Sequence, residues 1–263
     1  MRARALLAAL AALPILAALA MMSPPAKAER LVASVSNYRV LITSSFSGLD
    51  LVLFGSVERD GTSIPRRSGY DIVATVTGPR ETEVTRRKER VAGIWVNVDS
   101  RSFVDVPSYL AVLATKPVDA IGGPELARRL RLGLADTTLP QQIGSELTDV
   151  RDDPFRMAFL RLKTERGLYL EKSNAVTFLT PTLYRTSIPL PAEVPTGEYD
   201  VDVKLFADNA MIARAPEAFE IVKFGFEQFV AGAARDYGLL YGLATATMAL
   251  MTGWIASIVF RRD

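Results

Sequence analysis

The chain has 263 residues, 49% of them hydrophobic and 23% charged, enough to build one large or two small cores and too apolar for a disordered protein. It contains no histidine and no cysteine, which excludes disulfides, thiolate nucleophiles, Ser-His-Asp triads, zinc sites built on imidazole or thiolate, and haem held by either residue. The formal charge of +2 argues for nucleic acid only if the whole chain stays together, and its two ends say otherwise.

Arg2 and Arg4 precede an apolar run over residues 5–22 that Pro14 interrupts, and Ala26-Lys27-Ala28 offers a signal peptidase its small-x-small pattern. Residues 1–28 therefore read as a cleaved signal peptide. An uncleaved anchor is the rival reading, and the alanine-rich run, the central proline and the cleavage pattern weigh against it. No cysteine stands near the cleavage point, which excludes a lipoprotein. Removing this segment takes Arg2, Arg4 and Lys27 and no acid, leaving 28 basic against 29 acidic residues, a formal charge of −1. Setting Arg261, Arg262 and Asp263 aside as well leaves 26 against 28, or −2. The exported body is near neutral, and nucleic acid is not an expected partner.

From 31 to 118 the pattern is strand after strand. "YRVLITSSF", "LDLVLFGSV", "YDIVATVTGP", "TEVTRRK", "GIWVNVD" and "SFVDVPSYLAVLAT" carry β-formers between turn residues, at a spacing that suggests a β-sandwich. Residues 119–167 read as a helical connector. Pro124 opens "PELARRLRLG", and a second helix starts at Asp153-Pro154 with Phe155, Ala158, Phe159 and Leu162 on one face and Gly167 as its stop. Its cations Arg156, Arg161, Lys163 and Arg166 fall mostly off that stripe and are expected in water. Strands return over 168–224. In "EYDVDVKLF", Tyr199, Val201, Val203 and Leu205 point one way and Asp200, Asp202 and Lys204 the other, resembling the terminal hairpin of an Ig-like sandwich. The expected fold is mainly β: Ig-like β-sandwich units, a larger one at 29–118 and a smaller one at 168–224, with the short helical connector between them. A single continuous sandwich with a helical insertion is the alternative.

Residues 225–236 are expected to lead helically toward the end of the chain, with Phe226, Phe229, Val230 and Ala233 on one side. The next 24 residues, 237–260, carry no charge and are followed by Arg261 and Arg262. At 1.5 Å per residue they cross a hydrocarbon layer of about 30 Å. Tyr237 and Tyr241 at one end and Trp254 and Phe260 at the other suit the two interfaces, and the arginine pair favours the cytoplasmic side. The expected topology is a single pass through the bacterial inner membrane, with the body periplasmic and residues 261–263 as a cytoplasmic tail.

With "RRKERVAGIWVN" at 86–97, "VPSYLAV" at 106–112, "VPTGEYDVDV" at 194–203 and "LLYGLATATMALMTGWIASIVFR" at 239–261, the chain resembles the alphaproteobacterial transmembrane protein family Alph_Pro_TM over nearly all of its mature length. The resemblance implies an exported body with an inner-membrane anchor, and no mechanism.

Two stretches are candidate sites. Arg86, Arg87, Lys88 and Arg90, with Trp95 and Asn97, form a cationic ledge for anionic lipid headgroups, an anionic ligand or an acidic partner surface. Ile94, Val96 and Val98 are expected in the core beside it. The competing reading is an edge strand whose charges only discourage pairing with other chains. In the span, Gly238, Gly242, Ala246, Ala249, Gly253 and Ser257 recur every three or four residues, a small-residue face for packing on another membrane helix or a second copy. No catalytic signature accompanies them: Asp152 and Asp153 stand where they cap a helix, and no nucleophile elbow or S-x-x-K run occurs. The chain is expected to be no enzyme and to need no cofactor or metal. The functions ranked from this are a membrane-anchored periplasmic binding or scaffold protein accessory to a transporter or envelope complex, then a sensor or carrier of an anionic ligand, and last a Ser/Lys or carboxylate hydrolase. Only three residues follow the span, so any signal inward is expected to pass through another protein.

Overall fold

The structure is a computed structural model and describes residues 29–59, 69–225, 230 and 234–259. The expected signal peptide, Phe226, Phe229 and Ala233 of the expected surface helix, and residues 260–263 lie outside the described residues. Val230 and residues 234–236 are helical.

Two sheets face each other. One is four-stranded and antiparallel, in the order β1 (Arg30–Val35), β3 (Leu49–Glu58), β12 (Leu183–Leu190), β11 (Thr177–Phe178). The other is six-stranded, in the order β10 (Tyr169–Lys172), β7 (Leu110–Ala114), β4 (Asp71–Thr77), β13 (Gly197–Ala207), β14 (Ala210–Lys223), β2 (Arg39–Ile42). Alternation dictates the core: Leu31, Ala33 and Val35, then Leu51, Leu53 and Val57, from one sheet meet Ile72, Ala74 and Val76 and then Tyr199, Val201, Val203 and Leu205 from the other, all buried. The predicted inward face of the 199–205 strand is the observed one. Pro216 sits mid-strand in β14 opposite Asp202, where β14 pairs with β13 alone, since β2 joins only at Glu220–Lys223. A proline is tolerated on such an open side because no ladder bond is lost.

The expected division into a larger and a smaller unit is corrected. Strands from both segments share both sheets: β12 pairs with β3, and β13 with β4. One continuous sandwich results, with residues 119–167 as its insertion. Periodicity reports which face of a strand is buried and not which strand it pairs with, so two short β regions look separable in sequence when they are not. The insertion is also not purely helical. It holds a 3₁₀ turn (Val118–Ala120), α1 (Gly123–Leu130), the hairpin β8 (Gln141–Ile143) and β9 (Glu146–Thr148), and α2 (Pro154–Glu165). Ala127 of α1 and neighbouring Val118, Ile121 and Leu132 cover the outer face of the six-stranded sheet at Val73, Val112 and Phe206, a second, smaller core.

Buried tyrosines fasten the sandwich. Tyr109 donates to the Pro189 carbonyl at 2.7 Å, Tyr169 to Pro107 at 2.6 Å, Tyr184 to Val32 at 3.0 Å and Tyr199 to Pro195 at 2.6 Å. Burial pushes all four hydroxyls well above the usual tyrosine range, so they stay protonated donors. Tyr199, near the start of β13 and bonded four residues back, makes the tyrosine corner of Ig-like domains.

Strand directions give the sandwich two distinct ends. β14 finishes at Lys223 beside the start of β13, where Gly197 pairs with Ile221. A Cβ on Gly197 would lie 3.0 Å from Pro79, just past the end of β4. The end from which the chain departs for its last helix is therefore the end at which β4 leaves the sheet. Arg30 and Glu58, paired across β1 and β3, mark the opposite end.

Candidate functional site

β4 and β7 do not stop at that end. The ladder continues through Gly78 and Tyr109 (N···O 2.8 Å) and through Ser108 and Pro79 (2.8 Å) into β5 (Arg80–Val91) and β6 (Ile94–Pro107), which run on as a two-stranded arm. The twelve residues of β5, separated by steps of about 3.3 Å, span about 36 Å from first to last. Ala92 and Gly93 close it with φ of 50° and 89°, the paired positive values of a two-residue hairpin turn. β8 and β9 join beyond β6, so β5 is an edge strand of this third sheet.

The root of the arm is pinned. α2 begins where its sequence predicts: the Asp153 side chain accepts from Phe155 N at 2.8 Å, and Pro154 follows as the first helical residue. Its buried face is not the predicted stripe. Phe155, Arg156, Phe159 and Lys163 are buried, while Leu162 is exposed. Phe159 stacks on Phe103 of β6 at 4.5 Å and meets Tyr169 edge-on. Lys163 reaches into the root, 2.5 Å from Glu83, 3.3 Å from Glu81 and 3.2 Å from the Ser108 carbonyl, with its ammonium over the Phe159 and Tyr169 rings. Arg156 ties α2 to the preceding loop through Asp149 (3.0 Å) and the Ala135 and Thr137 carbonyls (3.0 and 2.7 Å). The expectation that Arg156 and Lys163 are solvated is thus corrected. Each exchanges water for three oxygen acceptors, and a helix-face count cannot see partners that lie off the helix, from 7 to 82 residues away.

Partial burial, with the Glu83 carboxylate in hydrogen-bond reach, raises the Glu81 carboxyl above its usual range against the opposing pull of Lys163. A raised carboxyl binds its proton better in the folded state, so its contribution is largest at low pH and is lost as pH climbs from about 4.5 through the raised value. Glu81→Gln is expected to remove that loss. Melting temperatures measured from pH 4 to pH 7 should fall more with rising pH for the parent chain than for the variant, and parallel curves would show that Glu81 is not the responsible group.

Beyond Thr85 the arm pairs with no strand of the body, although Arg86, Arg87 and Lys88 still flank a cleft against α2. The register sets Arg86 opposite Ser100, Lys88 opposite Asn97 and Arg90 opposite Trp95, and directly paired residues share a face. Of the predicted ledge, Arg86, Lys88, Arg90, Trp95 and Asn97 are therefore brought together on one face. Arg87 lies on the other, opposite Asp99 and ion-paired to Glu89 at 3.2 Å. A register shift after Arg87 leaves Val98 as the extra residue. The core placement expected for Ile94, Val96 and Val98 is corrected: Ile94 is 65% exposed, Trp95 70% and Val98 42%, and Val96 is half-buried. The arm has left the sandwich by this point, so no second sheet exists to bury them.

One residue that sequence reasoning missed is Arg101. Its guanidinium lies over the Phe155 ring at 5.2 Å and 3.5 Å from Asp153. It helps line a cleft of about 390 Å³ between β5 and α2, together with Thr85, Arg87, Phe155 and Arg161. In sequence, Arg101 and Arg161 stand alone, and only the docking of α2 on the arm joins them to the ledge.

The last element is α3 (Gly238–Val259), 22 residues with no charge and none buried against the body. Among the described residues it is the one helix long and apolar enough to cross a membrane. Its threonines answer their own hydroxyls: Thr245, Thr247 and Thr252 donate to carbonyls four residues earlier at 2.7 to 3.0 Å, as a lipid surround requires. The six predicted small residues, Gly238, Gly242, Ala246, Ala249, Gly253 and Ser257, fall within about 100° of this helix. A family model described as "Putative transmembrane protein (Alph_Pro_TM)" matches residues 30–262. The chain belongs to that family. The Alph_Pro_TM match runs through arm and span alike, bears out the resemblance read from the sequence, and agrees with a mainly β body joined to one C-terminal candidate span. No curated protein matches the chain.

Proposed function

We propose that the protein is an inner-membrane-anchored periplasmic binding and scaffold module, accessory to a membrane transporter or an envelope complex. The observation that carries this reading is the free half of the arm, a cationic and aromatic surface on a pinned root at the end of the body from which the chain runs to its span. Edge protection explains charges on β5. It does not explain Ile94 and Trp95 left in water beside them, a combination of arginine, tryptophan and aliphatic residues that contact surfaces favour. The small-residue face of α3 supplies a second contact surface, where close backbone approach lets another membrane helix or a second copy pack. Arg261 and Arg262 orient the span with the body outside the cytoplasm.

Affinity purification of the full chain from mildly solubilised membranes tests the reading. A stoichiometric membrane protein is expected to co-purify, to be released by Gly242→Leu, and to be held more weakly by the triple variant R86Q/K88Q/R90Q. Recovery as a lone monomer would sink it. A second reading, a periplasmic sensor or carrier of an anionic ligand, is favoured by the cleft where Arg87, Arg101 and Arg161 converge beside Phe155. The two part company at Gly242→Leu, on which ligand binding in the cleft does not depend.

A further inference from the structure

We infer that the free half of the β5–β6 arm docks on the anionic headgroup layer of the bilayer that α3 crosses, with its apolar tip inserted and its cations against lipid phosphates. The inference rests on the membrane-anchored reading above and names what the arm touches. Three observations carry it. First, the arm is rooted at the end of the sandwich where β14 stops, through the Pro79–Gly197 approach and the Gly197–Ile221 pairing. Second, lengths agree. Fourteen residues, 224–237, separate β14 from α3; with Val230 and residues 234–236 helical they can reach at most about 42 Å, and an arm of about 36 Å falls inside that reach. Third, the arm is ordered from apolar to cationic along its axis. Val91, Ile94 and Trp95 at the tip are 50%, 65% and 70% exposed, and Arg90, Lys88, Arg87 and Arg86 form a collar over the five residues behind Val91. Among the described residues Arg86 and Lys88 have no ion-pair partner. On a body of formal charge −2 this collar is a local feature, and tryptophan is the side chain best suited to the headgroup boundary. An acidic protein groove would match the collar equally well but would give no reason for the arm to grow from the membrane-facing end.

The chain's two tryptophans make the test self-controlled. Trp254 lies in α3 and Trp95 at the arm tip, so Trp95→Phe leaves a reporter of the span and Trp254→Phe a reporter of the arm. Each full-length variant is reconstituted in nanodiscs of phosphatidylcholine, alone or with phosphatidylglycerol, carrying brominated acyl chains that quench tryptophan in contact. The expected result is that Trp254 is quenched in both lipids, whereas Trp95 is quenched and blue-shifted only with phosphatidylglycerol. Adding R86Q/K88Q/R90Q should return Trp95 to its unquenched emission, since each cation at an anionic surface is worth a factor of about five and three together about 100-fold. Salt near 1 M should do the same by screening. Trp95 unquenched in the anionic discs while Trp254 is quenched overturns the inference, and assigns the arm to a protein surface instead. Trp95 quenching indifferent to lipid charge or to the triple variant overturns it as well. If Trp254 itself is unquenched, the membrane-anchored reading has failed first.

Discussion

Lys163→Met is expected to lower the unfolding free energy by about 3 kcal/mol and to loosen the root of the arm. The Lys163 side chain is 4% exposed, against 40% and 32% for Glu81 and Glu83, so the variant leaves two carboxylates facing each other beside an apolar patch, with water able to reach them only in part. That partial access puts the cost at the lower end of the range for breaking a buried pair. The Ser108 carbonyl loses its donor in the same step, and Ser108 is where the ladder passes from sandwich to arm. Adding Glu81→Gln and Glu83→Gln to Lys163→Met should recover part of the loss, because neutral partners no longer repel. Urea unfolding measures both, and hydrogen exchange should show faster opening over residues 80–85 and 101–107 in the single variant. Stability and exchange unchanged by Lys163→Met would mean that the root is held by the Phe103, Phe159 and Tyr169 rings alone.

Gly55→Ala is expected to cost about 3 kcal/mol or more. Gly55 sits mid-strand in β3, between β1 and β12, where a Cβ would collide with the Val32 carbonyl and with the Tyr184 ring that crosses over it. The ring cannot retreat without giving up its bond to Val32, and the carbonyl belongs to the β1–β3 ladder. The double variant Gly55→Ala/Tyr184→Leu should therefore stay destabilised, since the backbone clash persists when the ring is gone. Full recovery in the double variant, by thermal or urea unfolding, would show that the ring was the whole obstacle.

The mainly β body was legible because period-2 alternation in stretches such as Tyr199–Leu205 is a direct consequence of one-sided burial, and the start of α2 was legible because Asp153-Pro154 is both cap and first turn. β8 and β9 escaped notice because three-residue strands carry no measurable alternation, and β10, though inside the expected β segment 168–224, was not singled out because four residues carry little more. The single sandwich was hidden for a deeper reason, since pairing between β3 and β12 is a contact across more than a hundred residues with no local trace. At the candidate site, Arg86, Lys88, Arg90, Trp95 and Asn97 were found from their charge and composition. Alternation along the strand also puts Arg86, Lys88 and Arg90 on one side and Arg87 on the other, but that Trp95 and Asn97 join the first face was not legible, because it depends on a turn at Ala92-Gly93 and a register shift at Val98. Arg101, Lys163 and Arg156 could not be placed from sequence at all, because each takes its position from partners on other elements.

The arm and the span leave the same end of the body. Because the chain has no native cysteine, spin labels can be placed at will. Pulsed dipolar distances in lipid nanodiscs from Leu239→Cys, at the head of α3, to Ile94→Cys at the arm tip and to Glu58→Cys at the opposite end of the sandwich compare the two directions. The arm tip is expected to be the nearer label. A Glu58 label nearer to the span than the Ile94 label would contradict it.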